Sequence, residues 1–282
     1  MRLVLITALT MLAFASNSVL SRMAIEGGHI DPNSFAAIRI VSGALALSLI
    51  VVLRGDELPL FVRSRIVGAL SLAGYMIGFS LAYATLDAGL GALILFGVVQ
   101  VTMFAYGAMT GAVPSRRQIT GAVIAFAGML IALWPSEAAN TDIGGSVLMV
   151  IAGLGWAAYT LAGRETSNPA AATAANFVWA TPFLLIFLIG KTLEMTGVGI
   201  GLAVLCGAVT SGLGYAMWYS VLPKMTSSTA AVVQLCVPII AIVAGAVLLG
   251  ETVNGVIVVA TVLVIGGIAL AVTRGSTRAG RT

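Results

Sequence analysis

Ser71, Tyr75, Phe79 and Tyr83 follow one another every four residues inside an apolar run, so a helix there carries one hydroxyl and aromatic stripe. A second run repeats the stripe as Ser211, Tyr215 and Tyr219, with Trp218 adjacent. Phenols both donate and accept hydrogen bonds, and their rings offer flat apolar walls, so the chemistry on offer is recognition of a solute. Tyr83 and Tyr219 stand near the ends of their runs, where aromatic residues also serve as interfacial anchors. Tyr75 and Tyr215 lie deeper and read as a shared cavity wall. Gln100 and Gln234 each place an amide near the middle of a further apolar run. Such an amide either meets donors and acceptors of a solute or joins two helices by a hydrogen bond worth about 0.6–1.7 kcal/mol. Asn17 and Tyr159 occupy equivalent places in two more runs, with Trp156 one turn before Tyr159, and read the same way.

Arg39 is the one cation well inside an apolar run. Its guanidinium suits a substrate carboxylate. Counted from Pro32 at 1.5 Å per residue, however, it lies only about 10 Å deep. That depth favours a structural arginine that snorkels outward or binds a backbone carbonyl. Pro182 and Pro238 interrupt helical hydrogen bonding within their runs, and Gly214 beside Gly212 permits close sliding of helices, so Pro238 and Gly214 are candidate gating points. All ten Asp and Glu fall in loops or at run ends, and the single His29 is in a loop. A dedicated intramembrane proton carrier is therefore not expected, unless the last loop folds Glu251 inward or Asp87 takes part. No Walker, HExxH or paired-carboxylate pattern is present, so neither ATP-driven transport nor enzymatic chemistry is supported, and neither cofactor nor metal is implied. Cys206 and Cys236 lie in apolar stretches and read as inert packing thiols.

The elements that must position these residues follow from composition. Hydrophobic residues make up 60% of the 282 and charged residues 9%, against about 25% charged in an ordinary soluble domain. This excludes a soluble enzyme, a nucleic-acid-binding domain and a disordered regulator. A spanning helix needs about 20 mostly apolar residues. Ten stretches qualify: 3–21, 34–53, 66–86, 90–112, 118–134, 144–163, 170–190, 198–220, 228–249 and 255–273. The expected fold is an all-α integral membrane protein of ten helices. The first stretch, with Arg2 and Ala13-Phe14-Ala15, also has the outline of a cleavable signal peptide, which would leave nine spans. With the N-terminus inside, 11 Lys and Arg fall in inner loops or tails and only Arg22 and Lys191 in outer loops. The positive-inside rule then places both termini in the cytoplasm, and the multi-pass protein in a bacterial-type inner membrane.

The chain also repeats itself. Gly78-Phe79-Ser80-Leu81-Ala82-Tyr83 matches Gly214-Tyr215-Ala216-Met217-Trp218-Tyr219, Tyr106-Gly107-Ala108 matches Ala244-Gly245-Ala246, and Phe14 with Arg22 parallels Trp156 with Arg164. Two halves, 1–138 and 139–282, result. Five spans per half make the second enter from the opposite side, an arrangement found in many secondary transporters with the substrate site between the halves. A duplicated scaffold that transports nothing is the plainer alternative.

Pro32, Phe35 and Arg39 open the second stretch; a second marked segment runs from Tyr219 at the end of the eighth through the turn Thr226-Ser227-Ser228-Thr229-Ala230-Ala231 to Pro238 in the ninth and Gly250-Glu251 just after it. On these residues the whole chain resembles the drug/metabolite transporter superfamily, and within it the EamA-type ten-helix permeases. Gln100 stands where the repeat places Pro238, and Val113 where it places Glu251, so the halves are not mechanistically identical. Small multidrug-resistance relatives use a first-helix glutamate; here that region holds Phe14 and Asn17. The resemblance implies alternating access and export of small amphipathic metabolites, with amino acids, aromatic ones included, as the leading substrates. A drug or nucleotide-sugar permease of the same fold is the alternative. The expected partners are a small-molecule substrate and membrane lipid, without nucleic acid, and the expected working unit is a monomer.

Overall fold

The computed structural model describes residues 2–109, 115–133, 142–163, 168–190, 192–224, 233, 234 and 236–272. Its helices are α1 (Arg2–Ile25), α2 (Pro32–Leu53), α3 (Ser64–Ala82), α4 (Ala88–Met109), α5 (Arg116–Leu133), α6 (Ile143–Gly163), α7 (Pro169–Phe187), α8 (Gly197–Val221), α9 (Cys236–Leu249) and α10 (Gly255–Val272). The described chain is all-helical apart from loops and one isolated bridge between Ile30 and Met195. Among the described residues seven helices, α1 to α4 and α6 to α8, are long and apolar enough to cross a membrane; α9 and the Gly255–Gly267 part of α10 are shorter apolar helices. The turn Thr226 to Ala231, Val113 and Arg164 lie outside the described residues.

Local chemistry explains the helix starts. Asp31 caps α2 by accepting from the backbone N–H of Asn33 and Ser34, and Pro32 fills the first turn, where no donor is needed. Asn168 and Pro169 open α7 in the same way. Two predicted boundaries shift by about a helical turn. The stretch 66–86 ends as helix at Ala82, because Tyr83 to Leu86 form a turn whose apolar side chains hide it from a hydropathy count. α1 runs on to Ile25, which puts Arg22 on the helix rather than in the loop. Residues Leu205–Leu213 of α8 and Gly245–Leu249 of α9 are wound as π-helix, a looser winding frequent at functional sites.

Helices approach closely where glycine removes the side chain. A Cβ on Gly155 of α6 would sit 2.8 Å from the Ser71 carbonyl oxygen and 2.9 Å from the Tyr75 nitrogen of α3. Gly155→Ala must therefore push α3 and α6 apart and displace Tyr75. It is expected to lower stability by about 1–3 kcal/mol in detergent thermal unfolding. Gly74→Ala, whose Cβ meets nothing within 4 Å, serves as the matched control and should change little.

Polar contacts tie several loops together at one end of the helices. Glu194 N donates to Asp31 Oδ2 and Thr196 N to the His29 carbonyl, joining the α1–α2 and α7–α8 loops. Thr85 of the α3–α4 loop donates to Asp142 at the start of α6, and Ala88 N donates to Glu251 between α9 and α10.

Candidate functional site

The polar centre of the protein is Arg39, which is fully buried. Its Nε donates to Ser211 Oγ at 2.9 Å. One terminal nitrogen, Nη2, donates to the phenol oxygens of Tyr75 and Tyr215, each at 3.1 Å, and those two oxygens are 3.0 Å apart. The guanidinium carbon lies 4.7 Å from the centre of the Phe79 ring and 5.4 Å from that of Tyr75, within cation–π range. Arg39 therefore neither snorkels outward nor rests on a backbone carbonyl, contrary to expectation. The side chain turns across the bundle toward α3 and α8, where hydroxyls and rings solvate the charge.

Asn17 of α1 supports this arrangement from behind. Its Oδ1 accepts from Thr210 Oγ1 at 2.6 Å, Ser211 Oγ at 3.0 Å and Cys206 Sγ at 3.3 Å. Ser211 thus links Asn17 to Arg39. Cys206 is a hydrogen-bonding member of the cluster rather than an inert thiol, and Cys236 is exposed rather than packed.

Rings from α1, α3, α6, α7 and α8 enclose the centre. Trp156 lies 4.7 Å from Tyr215 and 5.1 Å from Tyr75, and stacks on Tyr159 at 5.5 Å. Phe14 meets Trp156, Tyr215 and Trp218 edge-on at 5.6–5.8 Å. Tyr83 and Tyr219, read as possible interfacial anchors, are buried instead. Tyr83 packs on Phe79 and its hydroxyl donates to the Ala88 carbonyl, while the Tyr219 hydroxyl donates to the Tyr159 carbonyl. The two aromatic stripes thus converge, with Asn17, Trp156 and Tyr159, on one cluster around Arg39. Gln100 on α4 and Gln234 just before α9 are both buried, while the bonds of Arg39 go to Ser211, Tyr75 and Tyr215. Pro238 is buried in α9, and Gly214 lets α8 approach Ala13 of α1.

A second polar cluster was only partly legible. Arg22 approaches Asp87 Oδ1 at 3.4 Å, Glu251 Oε1 at 3.8 Å and Glu26 Oε1 at 3.8 Å, and donates to the Tyr83 carbonyl. Gly250, at φ 69°, makes the left-handed turn that brings Glu251 back against α4, where Ala88 N donates to it at 2.7 Å. Burial pushes the Glu251 carboxyl above its ordinary range, and neighbouring Asp87 adds to this against the Ala88 hydrogen bond and the Arg22 charge. Burial likewise raises Asp87, opposed by Arg22 and reinforced by Glu26.

A carboxyl raised in this arrangement stabilises it fully below the ordinary value of 4.5, and that contribution is lost as pH rises through the raised one. The contact of Glu251 with the start of α4 should therefore loosen with rising pH across that window. Spin labels at Ala84 and Val253 in a cysteine-free background are expected to show a growing long-distance population. Glu251→Gln should flatten the trend; an unchanged trend in that variant would acquit Glu251.

The comparisons agree with this architecture. The family model for the EamA-like transporter family matches residues 1–134 and 143–273. An uncharacterized protein of Pseudomonas aeruginosa is 44% identical over 271 residues, covering 95% of this chain and 94% of that protein. A Salmonella typhimurium protein named "Probable amino-acid metabolite efflux pump" is 25% identical over 258 residues, 85% of each chain. A solved crystal structure shares the fold at a TM-score of 0.68 and 17% identity, over 96% of this chain and 97% of the other. A match across nearly the whole length, on a bundle with its polar centre between apolar helices, settles the assignment: the chain belongs to the EamA-like transporter family.

Proposed function

We propose that the protein is a secondary transporter that exports small amphipathic metabolites, amino acids including aromatic ones, across a bacterial-type inner membrane by alternating access. The observation that carries this reading is Arg39, a buried guanidinium held by phenols and a hydroxyl and walled by rings, a setting made for a carboxylate attached to an apolar body. The efflux-pump name of the Salmonella relative supports the same substrate class.

The proposed architecture is ten spans with both termini cytoplasmic, built from the inverted halves 1–138 and 139–282. Helix contacts favour it. α3 packs on α6 as α8 packs on α1, α4 on α6 as α9 on α1, and α2 on α8 as α7 on α3, which are the exchanges a two-fold relation between halves requires. In that topology the loops joined through Asp31, Thr85, Asp142 and Glu251 all face outward, so the Arg22 cluster closes the external end. The buried rings leave the centre occluded, and solute reaches Arg39 when the halves part. Gln100 and Gln234 are further solute contacts in this reading, and Pro238 and Gly214 its joints.

The test is counterflow in liposomes. Purified protein with unlabelled aromatic amino acid inside should accumulate labelled amino acid with internal and external pH held equal. Gln100→Ala and Gln234→Ala should lower the rate at unchanged protein abundance. Strict dependence on a proton gradient would contradict simple exchange and move attention to Glu251 and Asp87.

A further inference from the structure

We infer that the Arg39 centre selects amphipathic monocarboxylates that lack an α-ammonium group over the zwitterionic amino acids themselves. This rests on the transport reading above and narrows its substrate class.

The inference follows from counting charges, donors and acceptors. Among the described residues every ion pair belongs to Arg22, and the titratable groups that interact with Arg39 include Cys206, Tyr75, Tyr215 and Tyr83, none of them a carboxylate. Arginine does not give up its proton in proteins, so the centre carries one positive charge with no counter-ion paired to it among the described residues. A buried cation without an anion is costly. A monoanionic solute cancels that charge. A zwitterion brings the same carboxylate but sets an ammonium within the same small enclosure, where it meets the guanidinium as a like charge.

The hydrogen-bonding inventory points the same way. Within the ring cluster, Arg39 Nη1, the indole N–H groups of Trp156 and Trp218 and the Tyr159 hydroxyl are buried without a hydrogen-bond partner among the described residues. Donors without acceptors suit the oxygens of a carboxylate. An ammonium needs acceptors; those in contact with Arg39 already accept hydrogen bonds, and beyond them the cluster offers the Tyr159 hydroxyl. Asn17 Oδ1 already takes three donors, and the Ser211, Tyr75 and Tyr215 oxygens accept from Arg39. Ring faces can also hold an ammonium, but Phe79 and Tyr75 already face the guanidinium. The organic part of the solute falls among Phe14, Trp156 and Trp218, which favours an aryl or alkyl body.

The experiment is exchange in liposomes by four phenyl probes at about pH 7.5, where the carboxylic acids are ionised. L-phenylalanine is the zwitterion, L-3-phenyllactate and N-acetyl-L-phenylalanine are the monoanions, and L-phenylalaninamide lacks the carboxylate. Protein-free liposomes give the passive leak of each. Phenyllactate and the acetyl derivative should half-saturate exchange at about tenfold lower concentration than phenylalanine, from removal of one like-charge repulsion. Phenylalaninamide should not compete. In Arg39→Gln the advantage of the monoanions should vanish. Phenylalanine equal to or better than phenyllactate would overturn this inference and leave amino-acid transport standing. Competition by phenylalaninamide as strong as by the monoanions would overturn carboxylate recognition at the centre. Exchange of none of the four would overturn both the inference and the transport reading.

Discussion

Arg39→Gln is expected to lower exchange of a carboxylate-bearing solute by about 30-fold or more, because removing one partner of a buried charge pair costs about 2–5 kcal/mol. The same change should leave folded yield and thermal stability unaltered or slightly raised. Arg39 is a cation inside the bundle without a paired anion among the described residues, and neutralising it removes a desolvation cost while glutamine retains donors for Tyr75 and Ser211. The two readings of Arg39 therefore differ in sign. A purely structural arginine would lose stability first and transport only in proportion to the protein lost. Thermal unfolding in detergent and exchange in liposomes, measured on one preparation, separate them.

The second large effect concerns Asn17. Asn17→Leu strips the acceptor from Ser211, Cys206 and Thr210. Thr210 keeps the Cys206 carbonyl at 3.0 Å, so the loss falls on Ser211 and on the weak thiol donor. The expected destabilisation is about 2–4 kcal/mol. Asn17→Asp has the opposite sign. Its carboxylate accepts from the same donors and places a resident anion one hydroxyl away from the Arg39 Nε. The unfolding temperature should rise while solute exchange falls about tenfold or more, since the solute now competes with a built-in counter-ion. A stable Asn17→Asp protein with normal exchange would show that the charge of Arg39 is not what the solute reads.

The aromatic stripes were legible because a four-residue spacing fixes one helix face whatever the tertiary structure, and Tyr75, Phe79, Tyr83, Tyr215 and Tyr219 do meet in one cluster. The direction of Arg39 was not legible. Depth along a helix follows from residue count, but rotation about its axis is set by packing, here by α8 lying against α2 through Gly207 and Gly43. Ser211 as the link between Asn17 and Arg39 is equally a long-range fact: those residues are far apart in sequence, and only the bundle brings them together. Cys206 looked like an inert packing thiol for the same reason. At the Arg22 end the charges were visible, and Gly250-Glu251 stood out as a motif. What a single sequence lacks is the left-handed turn at Gly250 that carries Glu251 to the start of α4. The break after Ala82 was hidden because Tyr83 and Leu86 are apolar residues that happen to be buried in a turn.

The central claim is that solute binds among the rings around Arg39, and tryptophan fluorescence reads that place directly. Two of the four tryptophans, Trp156 and Trp218, belong to the ring cluster. With Trp134 and Trp179 replaced by Phe, titration of purified protein with an aromatic carboxylate should give a saturable change in emission, and Arg39→Gln should abolish it. Absence of any saturable change, in a preparation that exchanges the same solute in liposomes, would contradict the account and place the site elsewhere.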